Sequence, residues 1–317
     1  MNVYDDERLR SLIERGFDEG DDDARSALAE EILAIDPGNA VGMFLKWEQL
    51  SEEDSIREIG MLEEAYKKLR EEAGALPADS EEAERYSAIL TAMLTGLTTA
   101  ASVSNKNEEA LGFAREMMAY DMEGTLLTRV LYYSLLIENE KFAEAIHSAD
   151  EDTIETPIGA YARAIALLET QGPEQDAPDA LLQAISLDPD LPFFALGLWD
   201  IEGEEDGEGY GEDEEDEFDD LMMQIYKVTG MWSVSESRLA FLASLVFAFG
   251  YLTDRIDDEE EIALLEKGFE SIGCMENMTS AKAAVMAIAD EGEDFNRADE
   301  EALMLLRGMM EEGLFSK

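Results

Sequence analysis

The sequence predicts an all-helical fold in which short amphipathic helices are stacked as antiparallel hairpins. Ala, Leu, Met and Glu, which favour helix, dominate the composition, whereas β-branched residues are sparse and only 7 prolines occur among 317 residues. Apolar residues recur at helical spacing in segments of about 10 to 20 residues. Short polar or Gly/Pro breaks separate these segments, as between helices that lie antiparallel to their neighbours.

The first predicted helix covers residues 5–17, with Leu9 and Ile13 on its apolar face. The acidic run at 20–23 supplies the N-cap of a second helix, which ends at Asp36 before a proline. Further helices follow at residues 41–50, 55–73, 80–103, 107–120, 125–137, 142–148, 157–170, 178–187 and 190–198.

Residues 200–220 form a low-complexity acidic segment with almost no apolar content. Such a segment cannot bury enough surface to offset the entropy of ordering it, so we expect a mobile loop or linker over residues 200–217. The predicted division is therefore a helical repeat region at 1–199, this linker, and a C-terminal region at 218–317 that caps the repeats. The capping helices are expected at residues 218–228, 233–251, 259–271, 280–290 and 298–312.

Three segments repeat one pattern, in which a helix ends in small and aliphatic or aromatic residues followed by Asp. The aspartates are Asp36, Asp121 and Asp188. The last two lie 67 residues apart, close to twice the period of about 34 residues of one class of helical repeat. The longer first interval is accounted for by the extended helices between residues 54 and 103.

The junction Asp36-Pro37-Gly38-Asn39 resembles that of tetratricopeptide (TPR) repeats, and Phe142 and Ala145 match aromatic and small positions of a second repeat helix. The apolar turn at 186–198, followed by Gly209-Tyr210-Gly211-Glu212-Asp213-Glu214, resembles a divergent bacterial type of that family, in which a Tyr-Gly-x-Gly-acidic segment follows the last repeat. The Trp, Gly and Tyr of the first repeat helix are largely absent. Over residues 20–240, the resemblance implies a right-handed α-solenoid whose concave face binds a protein or peptide.

Charge restricts the partners that the chain can bind. There are 76 acidic and 23 basic residues, which give a formal net charge of −53. Direct binding of nucleic acid or an anionic membrane is disfavoured, because such binding depends on Lys and Arg, whereas a basic protein is attracted. Two alternatives stay open: the chain mimics nucleic acid and blocks a basic nucleic-acid-binding protein, or the charge maintains solubility in a saline host.

The sequence marks no catalytic, cofactor-binding or metal-binding residue, so we expect neither an enzyme nor a cofactor. His147 and Cys274 are the single histidine and cysteine, too few for a zinc site of such ligands. No phosphate-binding or nucleophile motif occurs, and the acidic segment does not match a calcium-binding loop. We expect His147 at a helix end and Cys274 packed in the interior.

The remaining apolar residues give expectations about packing and location. Most aromatic residues, including Trp47, Phe193 and Trp232, are expected in the core, and methionine pairs such as Met309-Met310 either fill it or form an adaptable surface. The apolar run at 239–252 is too short to span a membrane. With one cysteine and no apolar core of a signal peptide near Met1, we expect a cytoplasmic interaction scaffold. The sequence leaves the oligomeric state open.

Overall fold

The structure is a computed structural model, and it describes residues 3–18, 22–74, 81–121, 125–174, 176–200, 212–292 and 295–313. Regular structure in this part of the chain is entirely helical, which confirms the all-α prediction. The helices are α1 (Val3–Asp18), α2 (Asp22–Ile35), α3 (Ala40–Glu48), α4 (Glu52–Arg57), α5 (Ile59–Ala73), α6 (Glu81–Val103), α7 (Asn107–Tyr120), α8 (Leu126–Glu138), α9 (Phe142–Glu151), α10 (Pro157–Gln171), α11 (Asp176–Leu187), α12 (Leu191–Ala195), α13 (Glu212–Trp232), α14 (Glu236–Leu252), α15 (Glu259–Ile272), α16 (Met275–Gly292) and α17 (Phe295–Glu311).

The helices form two compact units, Met1–Leu135 and Leu136–Lys317, with the boundary inside α8. In the first unit, neighbouring helices contact each other from α1 to α3, from α3 to α5, and on through α6 to α7. Side chains such as Ile32, Leu62 and Leu90 are completely buried in its core. This burial is the main driving force for the packing, because each amphipathic helix hides its apolar face only against a neighbour.

In the second unit, α10 packs against both α9 and α11. The later helices then return to this group, since α13 contacts α10, while α14 and α17 contact α11. Tyr161, Phe193, Trp232 and Phe249 are fully or almost fully buried, and the Tyr161 and Trp232 rings meet edge to face at 6.4 Å between centroids. Large aromatic side chains therefore occupy the interior of this unit.

The three aspartates at the repeated junctions organise the turn that follows each helix. Asp36 Oδ1 accepts a hydrogen bond from the backbone N–H of Gly38 at 3.1 Å, and Asp188 Oδ1 accepts from that of Leu191 at 3.0 Å. Asp121 Oδ1 accepts from the Thr125 hydroxyl at 2.8 Å. Asp is suited to this position because its short side chain reaches groups two to four residues ahead.

Two helices differ from their predicted bounds. The helix expected at 55–73 is two helices, because Ser51 caps α4 by accepting from the backbone N–H of Asp54, and the chain breaks at Glu58 before α5. Helix α13 begins at Glu212, so residues 212–217, expected in the mobile linker, have helical backbone. Residues 201–211 of that linker lie outside the described residues. The predicted division at 199 and 218 stays a prediction.

Candidate functional site

Most of helix α6 lies within an uncharged run that extends from Ser87 to Asn105, although 31% of the residues in the chain are charged. One face of the run packs on α5 and α7, and Leu90, Met93 and Leu94 are completely buried. Another face is open, with Ala88, Ala92, Thr99 and Val103 exposed, and Val103 is 55% exposed. Burial within the first unit therefore does not account for the absence of charge on this open face.

The open face forms one side of a groove of about 430 Å³, which we call the α6 groove. Glu48 is its one ionisable lining residue. The groove is lined by Trp47, Glu48, Ser55, Ile56, Ala92, Thr95, Gly96, Thr99, Ala100, Val103 and Leu127. A concave, mostly apolar surface with few polar groups is typical of sites that bind ligands or partner side chains.

The Trp47 indole is held against α6 by two features. Its Nε1–H donates a hydrogen bond to the Ser55 carbonyl oxygen at 3.0 Å, which satisfies the polar atom of the ring. The ring edge lies over Gly96, where a Cβ would come within 2.5 Å of Trp47 Cη2. Only glycine allows this approach, so Gly96 and Ser55 together fix the aromatic wall of the α6 groove.

Acidic residues lie beside this apolar surface. Glu48 forms a short ion pair with Arg25, and Asp54 forms one with Arg57 within α4. Glu53, in the same helix as the lining residues Ser55 and Ile56, is exposed. The two arginines are therefore engaged by carboxylates, and the exposed charge that remains on α4 includes Glu53.

A second cleft of about 580 Å³ lies in the second unit, between α11, α14 and α17. Phe241, Leu245 and Met310 supply apolar surface, but Arg307 Nε donates to Asp179 Oδ1 at 2.8 Å within the lining. This cleft is more polar than the α6 groove, and its cation already has a carboxylate partner. It is therefore the weaker candidate for binding an apolar ligand.

The residues singled out for chemistry lie apart from both clefts. His147 is exposed near the middle of α9, so the prediction that it lies at a helix end is wrong. Cys274 is buried as expected, between α15 and α16, where burial raises the pKa of its thiol. Among the described residues, no group of three or more His, Cys, Asp or Glu side chains is arranged to hold a metal ion. The acidic segment falls largely outside the described residues.

The long apolar stretch of α6 also meets a simple criterion for crossing a membrane. Among the described helices, α6 is the one that is long and apolar enough to cross a membrane, over residues Ala83–Val103. Within this segment, 44% of the most apolar stretch is buried inside the protein. A core helix of a soluble protein meets the same criterion, so this observation alone assigns no membrane role.

The chain matches no family model, no curated protein and no solved structure. The resemblance to TPR repeats therefore stays a prediction from the sequence. The α6 groove was not predicted. The uncharged run from Ser87 to Asn105 was the available signal, but the sequence alone does not show which face of that helix the core leaves open.

Proposed function

We propose that this protein is a non-enzymatic interaction scaffold, built from TPR-like helical hairpins, that binds a basic protein or peptide. The observation that carries the proposal is the presence of an open, mostly apolar groove on a chain with a net charge of −53. The groove offers apolar area for affinity, and the surrounding negative field attracts positive partners and speeds their encounter.

The spacing of alternate helices supports TPR-like repeats. Helices α7, α9 and α11 begin at Asn107, Phe142 and Asp176, which are 35 and 34 residues apart. This is the period of about 34 residues expected for a helix-turn-helix repeat of that kind. The shared role of Asp36, Asp121 and Asp188 after their helices adds a second similarity between the repeated segments.

The contacts of the last helices support the proposed C-terminal cap. A stack of hairpins exposes an apolar face at its last unit and needs a terminal element to cover it. Helices α14 and α17 contact α11, the last full-length helix of the proposed repeats. We propose that the right-handed α-solenoid ends there and that its concave face remains available to the partner.

Affinity capture at two salt concentrations tests this function. The immobilised chain should retain a defined set of basic proteins at about 0.05 M NaCl and lose most of them at about 0.5 M, because salt screens the attraction. An unrelated acidic protein of similar net charge, immobilised at the same density, controls for nonspecific adsorption. Retention of the same proteins on both surfaces, or of none, would contradict the proposal. Selective release by DNA would favour the nucleic-acid mimic.

A further inference from the structure

We propose that the α6 groove binds one amphipathic helix of about four turns, which inserts its apolar face and directs basic residues to the acidic side of the groove. This inference rests on the proposed function, and it specifies the class of partner and the site. Three observations support the proposed site: the shape of the groove, the open face of α6, and the neighbouring carboxylates.

The open face of α6 has the length and shape to accept a helix. Ala88, Ala92, Thr99 and Val103 follow helical spacing along one face, and the interval from the first to the last corresponds to about 22 Å. Their small or short side chains allow a second helix axis to approach to about 8 to 10 Å. A helix of about 15 residues would therefore match the open face along its length.

An extended peptide is less suited to this surface. A peptide strand binds chiefly through main-chain hydrogen bonds to an exposed sheet edge. The elements that line the α6 groove are helices, whose central N–H and C=O groups are bonded within each helix. The groove thus offers side-chain surface, which an amphipathic helix uses through residues at positions i, i+3, i+4 and i+7.

The charges around the α6 groove favour a basic amphipathic helix over a second copy of this chain or an anionic lipid bilayer. Glu84 is exposed two turns before Ala92 on α6 and Glu53 is exposed on α4, while Glu48, which lines the groove, is paired with Arg25. At the other end of α6, Lys106 is paired with Glu109 at 3.1 Å. A second copy of this chain would bring another net charge of −53, and an anionic bilayer would also add repulsion.

The test uses a fluorescent synthetic peptide of about 18 residues, with Leu at helical spacing on one face and Lys on both flanks. A scrambled peptide of the same composition removes the apolar face, and a second peptide carries Gln in place of Lys. We expect the Leu/Lys peptide to bind the full chain with Kd below about 100 µM. The scrambled peptide should bind at least about tenfold more weakly, and the Gln peptide should bind weakly and independently of salt.

A matched pair of variants locates the binding site. Ala92→Gln puts a longer neutral side chain into the α6 groove, whereas Ala34→Gln makes the same change at an exposed position of α2 outside the groove lining. Ala92→Gln should weaken binding of the Leu/Lys peptide by at least about tenfold, and Ala34→Gln by less than about twofold. Both variants should keep the wild-type circular dichroism spectrum, because both replace exposed helical alanine with a good helix former.

The outcomes separate this inference from the proposed function. Basic proteins captured equally by wild type and Ala92→Gln would leave the scaffold function standing and overturn the helix site. Failure of wild type to bind the Leu/Lys peptide would overturn the site as well. If wild type forms dimers that Ala92→Gln abolishes, the α6 groove is a self-association site instead. If wild type binds phosphatidylcholine vesicles and Ala92→Gln does not, the groove binds lipid instead. Capture of no basic protein would overturn the proposed function itself.

Discussion

Helices α6 and α14 both lack charged residues over long stretches, but their surroundings differ. Each helix lies largely within a long uncharged run, which extends from Ser87 to Asn105 for α6 and from Leu239 to Thr253 for α14. Helix α14 is contacted by α11, α13, α15, α16 and α17, whereas the main neighbours of α6 are α5 and α7. Most of the uncharged run of α14 is buried within its unit, apart from Leu239, Ala240 and Ser244, whereas exposed uncharged positions of α6 extend from Ala88 to Val103 along one face.

A core helix and a binding surface can both lack charge, but they differ in exposure. Charged residues are depleted both in protein interiors and at the centres of interfaces. Composition alone cannot distinguish the two, but exposure can. Ala248 of α14 is 1% exposed, whereas Val103 of α6 is 55% exposed. Introducing a charge at a buried position of α14 should therefore lower the free energy of unfolding far more than introducing it on the open face of α6.

The largest effect is expected when the same charge is introduced into each helix. Ala248→Asp places an unpaired carboxylate in the interior and should lower the free energy of unfolding by about 4 kcal/mol or more, to the point of unfolding its unit. Ala92→Asp, on the open face of α6, should change it by about 0.5 kcal/mol or less. Urea unfolding followed by circular dichroism measures both. Similar losses at the two sites would mean that α6 is as enclosed as α14.

A smaller effect concerns the ion pair beside the end of α14. Arg255 donates to Asp299 Oδ1 at 2.6 Å and to Oδ2 at 2.9 Å, and its guanidinium lies 5.1 Å from the Phe249 ring centroid. Asp299 is 6% exposed. Asp299→Ala should lower the free energy of unfolding by about 2 to 4 kcal/mol, since Arg255 would stay half-buried and lose one of its two carboxylate partners, keeping Asp190.

The matched control for this pair lies in the first unit. Arg8 and Glu31 form an ion pair at 3.1 Å whose side chains are 56% and 50% exposed. Glu31→Ala should cost no more than about 1 kcal/mol, because water and ions already screen an exposed pair. Urea unfolding at low salt measures both variants, and equal losses would show that burial does not strengthen the Arg255–Asp299 pair.

Two glycines test how closely Trp47 packs on α6. A Cβ at Gly96 would lie 2.5 Å from Trp47 Cη2 and 3.0 Å from Leu62, whereas one at Gly112 in α7 would meet nothing within 4 Å. Gly96→Ala should destabilise by about 1 to 2 kcal/mol, because displacement of the indole outweighs the gain in helix propensity. Gly112→Ala should stabilise by up to about 1 kcal/mol. Thermal unfolding measures both, and stabilisation by Gly96→Ala would contradict the fixed position of Trp47.

The sequence was sufficient for the features that depend on local patterns. Helical periodicity predicted α6 and α7 nearly to the residue, and the break near Pro157 separates α9 from α10 as expected. Asp followed by turn residues identified the repeated junctions, because that side chain organises the turn locally. The early end of α4 at Arg57 was missed, since apolar periodicity continues through Glu58 and conceals the break.

Features that depend on tertiary packing were not predictable in this way. Trp232 and Phe193 are completely buried as expected, but Trp47 is only partly buried, because its ring edge lies at the α6 groove. Nothing in the spacing of Trp47 distinguishes these environments. The return of α14 and α17 to α11 likewise brings together residues far apart in the chain, such as Asp179 and Arg307.

The smallest effect is expected from Cys274, the buried cysteine of the second unit, which also contains α14. It concerns how the free energy of unfolding depends on pH. Burial raises the pKa of the Cys274 thiol, so the folded state disfavours the thiolate relative to the unfolded chain. The stability that this contributes is fully present below the ordinary thiol pKa of about 8.5, and it is lost as pH rises towards the higher folded value. The free energy of unfolding of wild type minus that of Cys274→Ala should therefore fall between about pH 7.5 and 9.5, by no more than about 1.4 kcal/mol per pH unit. Groups that titrate in both proteins cancel in this difference, so a constant value would show that the thiol is as readily ionised in the folded chain as in the unfolded one.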